Sequence, residues 1–404
     1  MKKGKILYVR SAPYDLNINT YNVQEVGLGK AFCELGYDFD FIAFKKNAPF
    51  VESVFYEKGE CKARLIEKSR IRFDRWGINF SICNHKFLSQ YDMVICSEYF
   101  QIESYLLSKK SNNVVIYNGP YYNLFFMKFL SPIYDAVFTK RLNSSIRHIF
   151  VKSKLSQKFL ESKGYTKITQ LGVALDTERF SNDDEMLPET KKVVDYMTNH
   201  KCLLYVGALS DRKNLPFMLK VYEEALRKDP NLKFVMIGKS VISPLLKLLG
   251  KKDADYEKYY LSKIPQEVKD GILRIPKIDN PQLKFIYPLA KAFLLPSKLE
   301  IFGMVLLEAM YLKTPVITSL NGGSSMLIEG RNTGQIVETF DVTKWVDAIF
   351  KYIDNPAYRE ITTSNAYKLV RDEFNWNILA QKMLDTYYEK NTKYSSFKVE
   401  GRAF

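Results

Sequence analysis

Short apolar runs recur along the chain, and between them lie stretches whose apolar positions repeat at helical spacing. In the first half the runs KILYVR (5–10), DFDFIAF (38–44), DMVICS (92–97) and NVVIYNG (113–119) are near-continuously apolar. That pattern predicts strands buried on both faces, as in parallel sheets. Helices are predicted over 23–35, closed by Gly36, and over 153–164, with Ser153 as cap and Gly164 as stop. A polar, acidic stretch, SNDDEMLPETKK (181–192), then breaks the rhythm and reads as a linker. The alternation restarts at 201, with strands predicted in LLYVGA, LKFVMIG, ILRIPKI, AFLLPS, PVITSL and GQIVE. Helices are expected over 215–230 and 304–313, and a last amphipathic helix begins near Asn375. Strands alternating with helices in both halves imply two doubly wound α/β domains.

Composition agrees with two packed domains: 404 residues, 46% hydrophobic and 26% charged. The opening apolar run is too short for a signal peptide, and no stretch reaches the roughly 20 apolar residues of a bilayer span. Five scattered cysteines without a CxxC read as reduced thiols of a cytoplasmic protein. Three histidines lack metal-ligand spacing, so no metal site is expected. The net charge of +15 adds a question about anionic partners. Its densest patch, Lys62 to Trp76, interleaves Lys62, Arg64, Lys68, Arg70, Arg72 and Arg75 with apolar and aromatic residues. Such mixing suits the surface of an anionic membrane, and equally a solvated basic face. No nucleic-acid-binding module is recognisable, so nucleic acid is not an expected partner.

Ligands of open parallel sheets bind beyond the carboxyl ends of strands, which directs attention to two loops. In YVGALSDRKN a strand ends at Gly207, and Arg212 and Lys213 sit at a helix entrance. Cations there oppose the helix dipole but fit a bound phosphate. In PSKLEIFGMVLLEAM, Glu300 and Phe302 precede Gly303, where a helix is predicted to begin, and Glu308 lies about a turn and a half inside. The N–H groups of Gly303, Met304 and Val305 could hold a diphosphate, while a carboxylate suits ribose or sugar hydroxyls. Without a ligand, Glu300 would be a capping acid and Glu308 a solvent-facing one.

The eight-residue separation of Glu300 and Glu308 within P-S-x-x-E-x-F-G-x-x-L-L-E-A-M resembles the E-x7-E signature of retaining glycosyltransferase family 4. GVALDTERF (172–180), YVGALSDRKN, VKSKLSQKFLESKG and TPVITSLNGGSS are similar to further segments of that family, in order. The resemblance implies a GT-B fold: two Rossmann-like doubly wound domains facing a central cleft, with a C-terminal helix returning to the N-terminal domain. The corresponding boundaries are 1–185 for an acceptor domain, 186–375 for a nucleotide-sugar domain, and 376–404 for the returning helix.

It implies, too, a metal-independent hexosyl transfer with retention and no cofactor beyond the nucleotide-sugar donor, expected to be a UDP-sugar. Glu300, Lys213 and Arg212 would be catalytic. Glu308 would bind ribose, and Gly207, Phe302, Gly303, Met304, Val305, Gly322, Gly323 and Asn118 would complete the donor site. Asn19 and Thr20 are candidates for the acceptor site, the acceptor being expected to be a saccharide, lipid-linked at the inner membrane face, with a protein hydroxyl as the alternative. Four departures from the family pattern matter. Ala208 stands where an arginine is usual, the glycines Gly27 and Gly29 come late, Asn118 stands where many members have a histidine, and Ser324, Ser325 and Met326 replace a segment that often carries an acid. Ala208 and the serine segment keep open the alternative of a non-catalytic subunit that stabilises a partner enzyme.

Overall fold

The predicted apolar runs all become strands, and those inside the sheets are buried on both faces. The computed structural model describes residues 2–12, 16–18, 23–45, 50–69, 71–73, 76–124, 129–181, 185–241 and 255–400. Contacts divide the chain into two compact units, Met1–Ala174 with Phe374–Phe404, and Leu175–Glu373. The division falls before the acidic stretch. Part of that stretch is itself helical, since Pro188, suited to a first turn, opens the helix Pro188–Asn199.

The first unit contains β1 (Gly4–Val9), β2 (Tyr37–Phe44), β3 (Val51–Lys58), β4 (Cys61–Lys68), β5 (Ile71–Phe73) and β6 (Trp76–Ile78). It continues with β7 (Met93–Ser97), β8 (Val114–Asn118), β9 (His148–Val151) and β10 (Ile168–Gln170). Eight of these form one sheet in the order β10-β9-β8-β7-β1-β2-β4-β3, while β5 and β6 make a separate hairpin. Every pairing in the large sheet is parallel except β3 with β4. From β1 the chain winds outward through β2 on one side and through β7 on the other. The crevice between the carboxyl ends of β1 and β7 is therefore the switch point of this sheet.

The second unit repeats the plan with β11 (Lys201–Val206), β12 (Leu232–Ile237), β13 (Ile272–Ile275), β14 (Ala292–Leu295), β15 (Val316–Thr318) and β16 (Gln335–Ile336). The order β13-β12-β11-β14-β15-β16 is parallel throughout and reverses between β11 and β14.

The last helix, Trp376–Glu400, belongs to the first unit and packs on the helix Gln24–Glu34. Gly27 makes that contact possible, since a Cβ there would overlap the Trp376 indole. Further along, the Tyr387 hydroxyl donates to the Asp92 carbonyl at 2.6 Å, and the Arg147 guanidinium lies 4.2 Å from the Tyr387 ring centre. The late glycines are thus packing residues inside a helix.

The first part of the basic stretch from Lys62 lies in the sheet. Within β4, Arg64 bridges Asp40 (2.7 Å) and Glu52 (3.2 Å), and Lys62 pairs with Glu57 at 3.0 Å. Leu65 and Ile66 are buried, and Trp76 Nε1 donates to the Phe100 carbonyl at 2.7 Å. Strand alternation accounts for this interleaving. Arg70 and Arg75 lie outside the described residues, as does the side chain of Arg72. Among the described residues no helix is long and apolar enough to cross a membrane.

Substituting Gly27→Leu forces a side chain into the Trp376 contact and should lower stability by about 1–3 kcal/mol, as overpacking does. Urea unfolding measures this. Adding Trp376→Ala should give a clearly non-additive double mutant, and simple additivity would show that the two side chains do not meet.

Candidate active site

The second unit's switch point is where two loops are tied together. After β11 the chain passes Gly207, makes the 3-10 turn Asp211–Lys213, and enters the helix Leu215–Lys228 through Asn214, which is left-handed at φ 59°. After β14 it runs to Gly303, whose φ of 80° favours glycine, and enters the helix Met304–Tyr311. The Lys298 N–H donates to the Arg212 carbonyl at 2.9 Å, joining the loops through the backbone. The side chains join them a second time. Lys213 Nζ forms an ion pair with Glu300 Oε2, and Arg212 Nη1 stands 3.5 Å from Glu300 Oε1. Lys213 and Glu300 are buried, whereas the Arg212 side chain is 47% exposed.

The loop after β15 closes the third side. The Gly322 N–H donates to the Glu300 carbonyl at 3.2 Å. A Cβ on Gly323 would overlap the carbonyl oxygen of Phe302, so only glycine allows this approach. Asn321, fully buried, fixes the turn. Its Oδ1 accepts from the Ser324 N–H at 3.0 Å, and its Nδ2 donates to Thr318 Oγ1 at 2.9 Å and the Ser319 carbonyl at 2.8 Å. The serines that depart from the family pattern therefore brace the loop: Ser324 Oγ accepts from the Asn321 N–H, and Ser325 Oγ donates to the Gly322 carbonyl.

Gly303, the cap of the helix Met304–Tyr311, has no side chain to bond its first N–H groups, and those of Met304 and Val305 have no partner within the helix. Glu308 is only 3% exposed, which rules out a solvent-facing acid. Its carboxylate accepts from Asn280 Nδ2 at 3.0 Å and from the Tyr287 hydroxyl at 3.4 Å. Burial, then the charge of Glu308, pushes the Tyr287 phenol well above its usual range, so it stays a donor. Asn280 and Tyr287 escaped the sequence reading because they sit in short 3-10 turns with no periodic signal.

Arg212, Lys213, Gly207, Glu300, Phe302, Gly303, Met304, Val305, Glu308, Gly322 and Gly323 thus all belong to this end of one sheet. Asn118 lies in the first unit, fully buried, with Oδ1 accepting from the Tyr99 N–H at 3.1 Å. Its Nδ2 donates to Ser156 Oγ at 2.8 Å and the Pro120 carbonyl at 3.0 Å. All three bonds tie the amide to its own unit. Asn19 and Thr20 lie outside the described residues.

A family model described as glycosyl transferases group 1 matches residues 188–369, a span that includes both loops and the Glu308 helix. Among curated relatives, the spore coat protein SA of Bacillus subtilis is 24% identical over 60% of this chain and 63% of its own length. The capsular polysaccharide biosynthesis glycosyltransferase CapM of Staphylococcus aureus is 25% identical over 61% of this chain and 60% of its own. Each match thus spans under two thirds of the relative. Over 97% of this chain and all of the other, a sucrose-phosphate synthase from Thermosynechococcus elongatus superposes with a TM-score of 0.68 at 18% identity. HepE of Anabaena, solved with UDP and glucose, gives 0.65 at 14% identity over 96% of this chain and all of its own. These likenesses establish the GT-B fold.

Asn118→Ala orphans the buried Tyr99 N–H and should reduce stability by about 1–3 kcal/mol. UDP affinity, read by calorimetry at a temperature where the variant is folded, should not change. A loss of affinity would return Asn118 to the donor site.

Proposed function

We propose that this chain is a retaining glycosyltransferase that moves a hexosyl unit from a UDP-sugar to a saccharide hydroxyl in the synthesis of a bacterial surface polysaccharide. The observation that carries this reading is the meeting of Lys213, Arg212 and Glu300 beside the uncapped start of the helix Met304–Tyr311. Two cations and a row of unpaired N–H groups suit a diphosphate. Glu308, held by Asn280 and Tyr287, has the acceptor capacity to bind ribose hydroxyls, and Glu300 that to bind hydroxyls of the donor sugar. The UDP and glucose bound by HepE favour this donor, and the capsular polysaccharide role of CapM favours this product class.

In the proposed step the acceptor oxygen attacks the anomeric carbon from the face that the diphosphate leaves. The bond from that carbon to the diphosphate oxygen breaks, its electron pair stays on the oxygen, and the acceptor proton moves there. Lys213 stabilises the charge that develops, which requires no metal. A lipid-linked acceptor at the inner membrane face fits the net charge of +15 and remains part of the proposal.

Lys213→Ala should lower turnover of a UDP-sugar by about 10²–10³-fold, the usual effect of removing one charge-stabilising contact. Glu308→Ala should instead weaken UDP binding by about tenfold or more, since hydrogen bonds to a charged group are worth about 1.5–3 kcal/mol. Thermal shift with a nucleotide-sugar panel reads binding, because a ligand of the folded state raises apparent stability by mass action. Near-normal turnover in Lys213→Ala would refute its role. Turnover that needs a second protein would favour the stabilising-subunit reading, which the alanine at position 208 keeps in view.

A further inference from the structure

The candidate active site lies at the carboxyl ends of the second unit's strands, and the opposite edge of that sheet gathers cations. Lys201 opens β11, Lys291 directly precedes β14, and Lys313 stands just before β15. These strands are neighbours in the order β11-β14-β15, so the three lysines come to one edge. The Lys291 N–H donates to the Cys202 carbonyl at 2.8 Å and ties the starts of β11 and β14 together. Lys313 follows the helix Met304–Tyr311, whose carboxyl end favours a cation. That accounts for one of them.

Two further helices complete a cavity of about 540 Å³ with these strand ends, a size usual for small-molecule sites. The helix Val342–Ile353 ends there, and the helix Pro356–Glu373 starts there. Arg359, in the first turn of the latter, brings a fourth cation. Its Nη2 donates to the Ala290 carbonyl at 3.1 Å, which anchors the half-buried guanidinium beside the start of β14. Burial pulls the Arg359 pKa below its usual value, and no carboxylate opposes that. Lys201 reaches Asp229 at 3.2 Å. Among the described residues, Lys291, Lys313 and Arg359 have no carboxylate partner. Two carboxylates, Asp354 and Glu360, also line the cavity, but both are exposed and neither pairs with a cation.

We propose that this cavity binds a small phosphate monoester, such as a sugar phosphate, at the edge of the sheet opposite the candidate active site. Gathered like charges repel one another, and a bound anion turns repulsion into attraction. A phosphate monoester carries about one and a half to two negative charges near pH 7 and three acceptor oxygens, so it can meet donors from several strand ends and a helix at once. The planar fork of Arg359 suits two of those oxygens, and the lysines act as point charges. Asp354 and Glu360 have the acceptor capacity to bind hydroxyls of the ester's organic part, which favours a sugar phosphate over a bare ion. None of these residues belongs to the donor site, so the proposal does not rest on the transferase reading.

Calorimetry on the full chain tests the site, with glucose 6-phosphate, fructose 6-phosphate and glycerol 3-phosphate as titrants, glucose and inorganic sulfate as controls, and UDP in excess. At least one ester should bind in the presence of UDP, glucose should not, and sulfate should bind more weakly. The ester's affinity should fall about tenfold or more in Lys291→Met and in Arg359→Met, as expected for losing a charge-assisted contact. Circular dichroism shows whether each variant is folded, and Lys313→Gln, which alters an exposed side chain, decides if they are not. A wild-type protein that binds none of the esters overturns the proposal. So does binding abolished by UDP, an affinity unchanged in the folded variants, or sulfate bound as tightly as the esters. A chain that binds an ester but not UDP upholds this site and counts against the transferase reading.

Discussion

The contact between Lys213 and Glu300 joins loops that leave adjacent strands and wind away in opposite directions, and the candidate site of the second unit is built around it. Backbone geometry alone brings the loops close, through Lys298 and the Arg212 carbonyl. It is the ion pair that sets the direction of the two side chains. Both are nearly removed from solvent, so deleting Glu300 takes from the buried Lys213 ammonium its ion-pair partner, a change that in protein interiors costs about 3–5 kcal/mol. The same pair explains how two cations persist beside a helix start that electrostatically disfavours them. Glu300 neutralises them from the opposite loop, and on the transferase reading a diphosphate would share that task.

Each unit meets the same constraint with different residues. A parallel sheet that winds in two directions from its first strand opens a crevice at the carboxyl ends, where backbone and side chains converge. In the second unit glycines do the shaping: Gly303 adopts the left-handed turn, and Gly323 lets two loops touch. In the first unit the left-handed residue is a glutamate, held by Ser104 and by the bonds of its neighbours. Glycine would relieve strain costing on the order of 1 kcal/mol, yet a glycine has no carboxylate. The carboxylate of this residue, Glu98, accepts from the Gly119 N–H at 3.1 Å and lies 3.6 Å from Lys152 Nζ, tying the ends of three strands together.

Much of this architecture was legible in the sequence because buried parallel strands are long, apolar and uninterrupted. The runs at 5–10, 203–208 and 292–297 need no context to be recognised, and loops at their ends can be searched for charge. Glu300, Glu308 and Lys213 were found in that way. What escaped depended on contacts between distant segments. Asn118 resembles a ligand residue at a strand end, but its amide is engaged by Tyr99, Pro120 and Ser156, none of which the spacing of residues reveals. The ion pairs of Lys62 with Glu57 and of Arg64 with Asp40 and Glu52 are likewise invisible in the spacing of residues. Gly27 is late for a phosphate loop and well placed for the Trp376 indole, which arrives from the other end of the chain.

Ala208 shows how a departure from a family pattern can be local. Its carbonyl accepts from the Tyr205 hydroxyl at 3.0 Å, closing the turn after β11 on itself, and its methyl side chain offers nothing to an anion. Four residues on, the guanidinium of Arg212 is half exposed and 3.5 Å from Glu300, on the same loop and on the side of the ion pair. A planar guanidinium can bind two oxygens of a phosphate at once, which the ammonium of Lys213 does only as a point charge. The charge missing at position 208 is thus present in the loop, carried by a side chain long enough to reach the same carboxylate that holds Lys213.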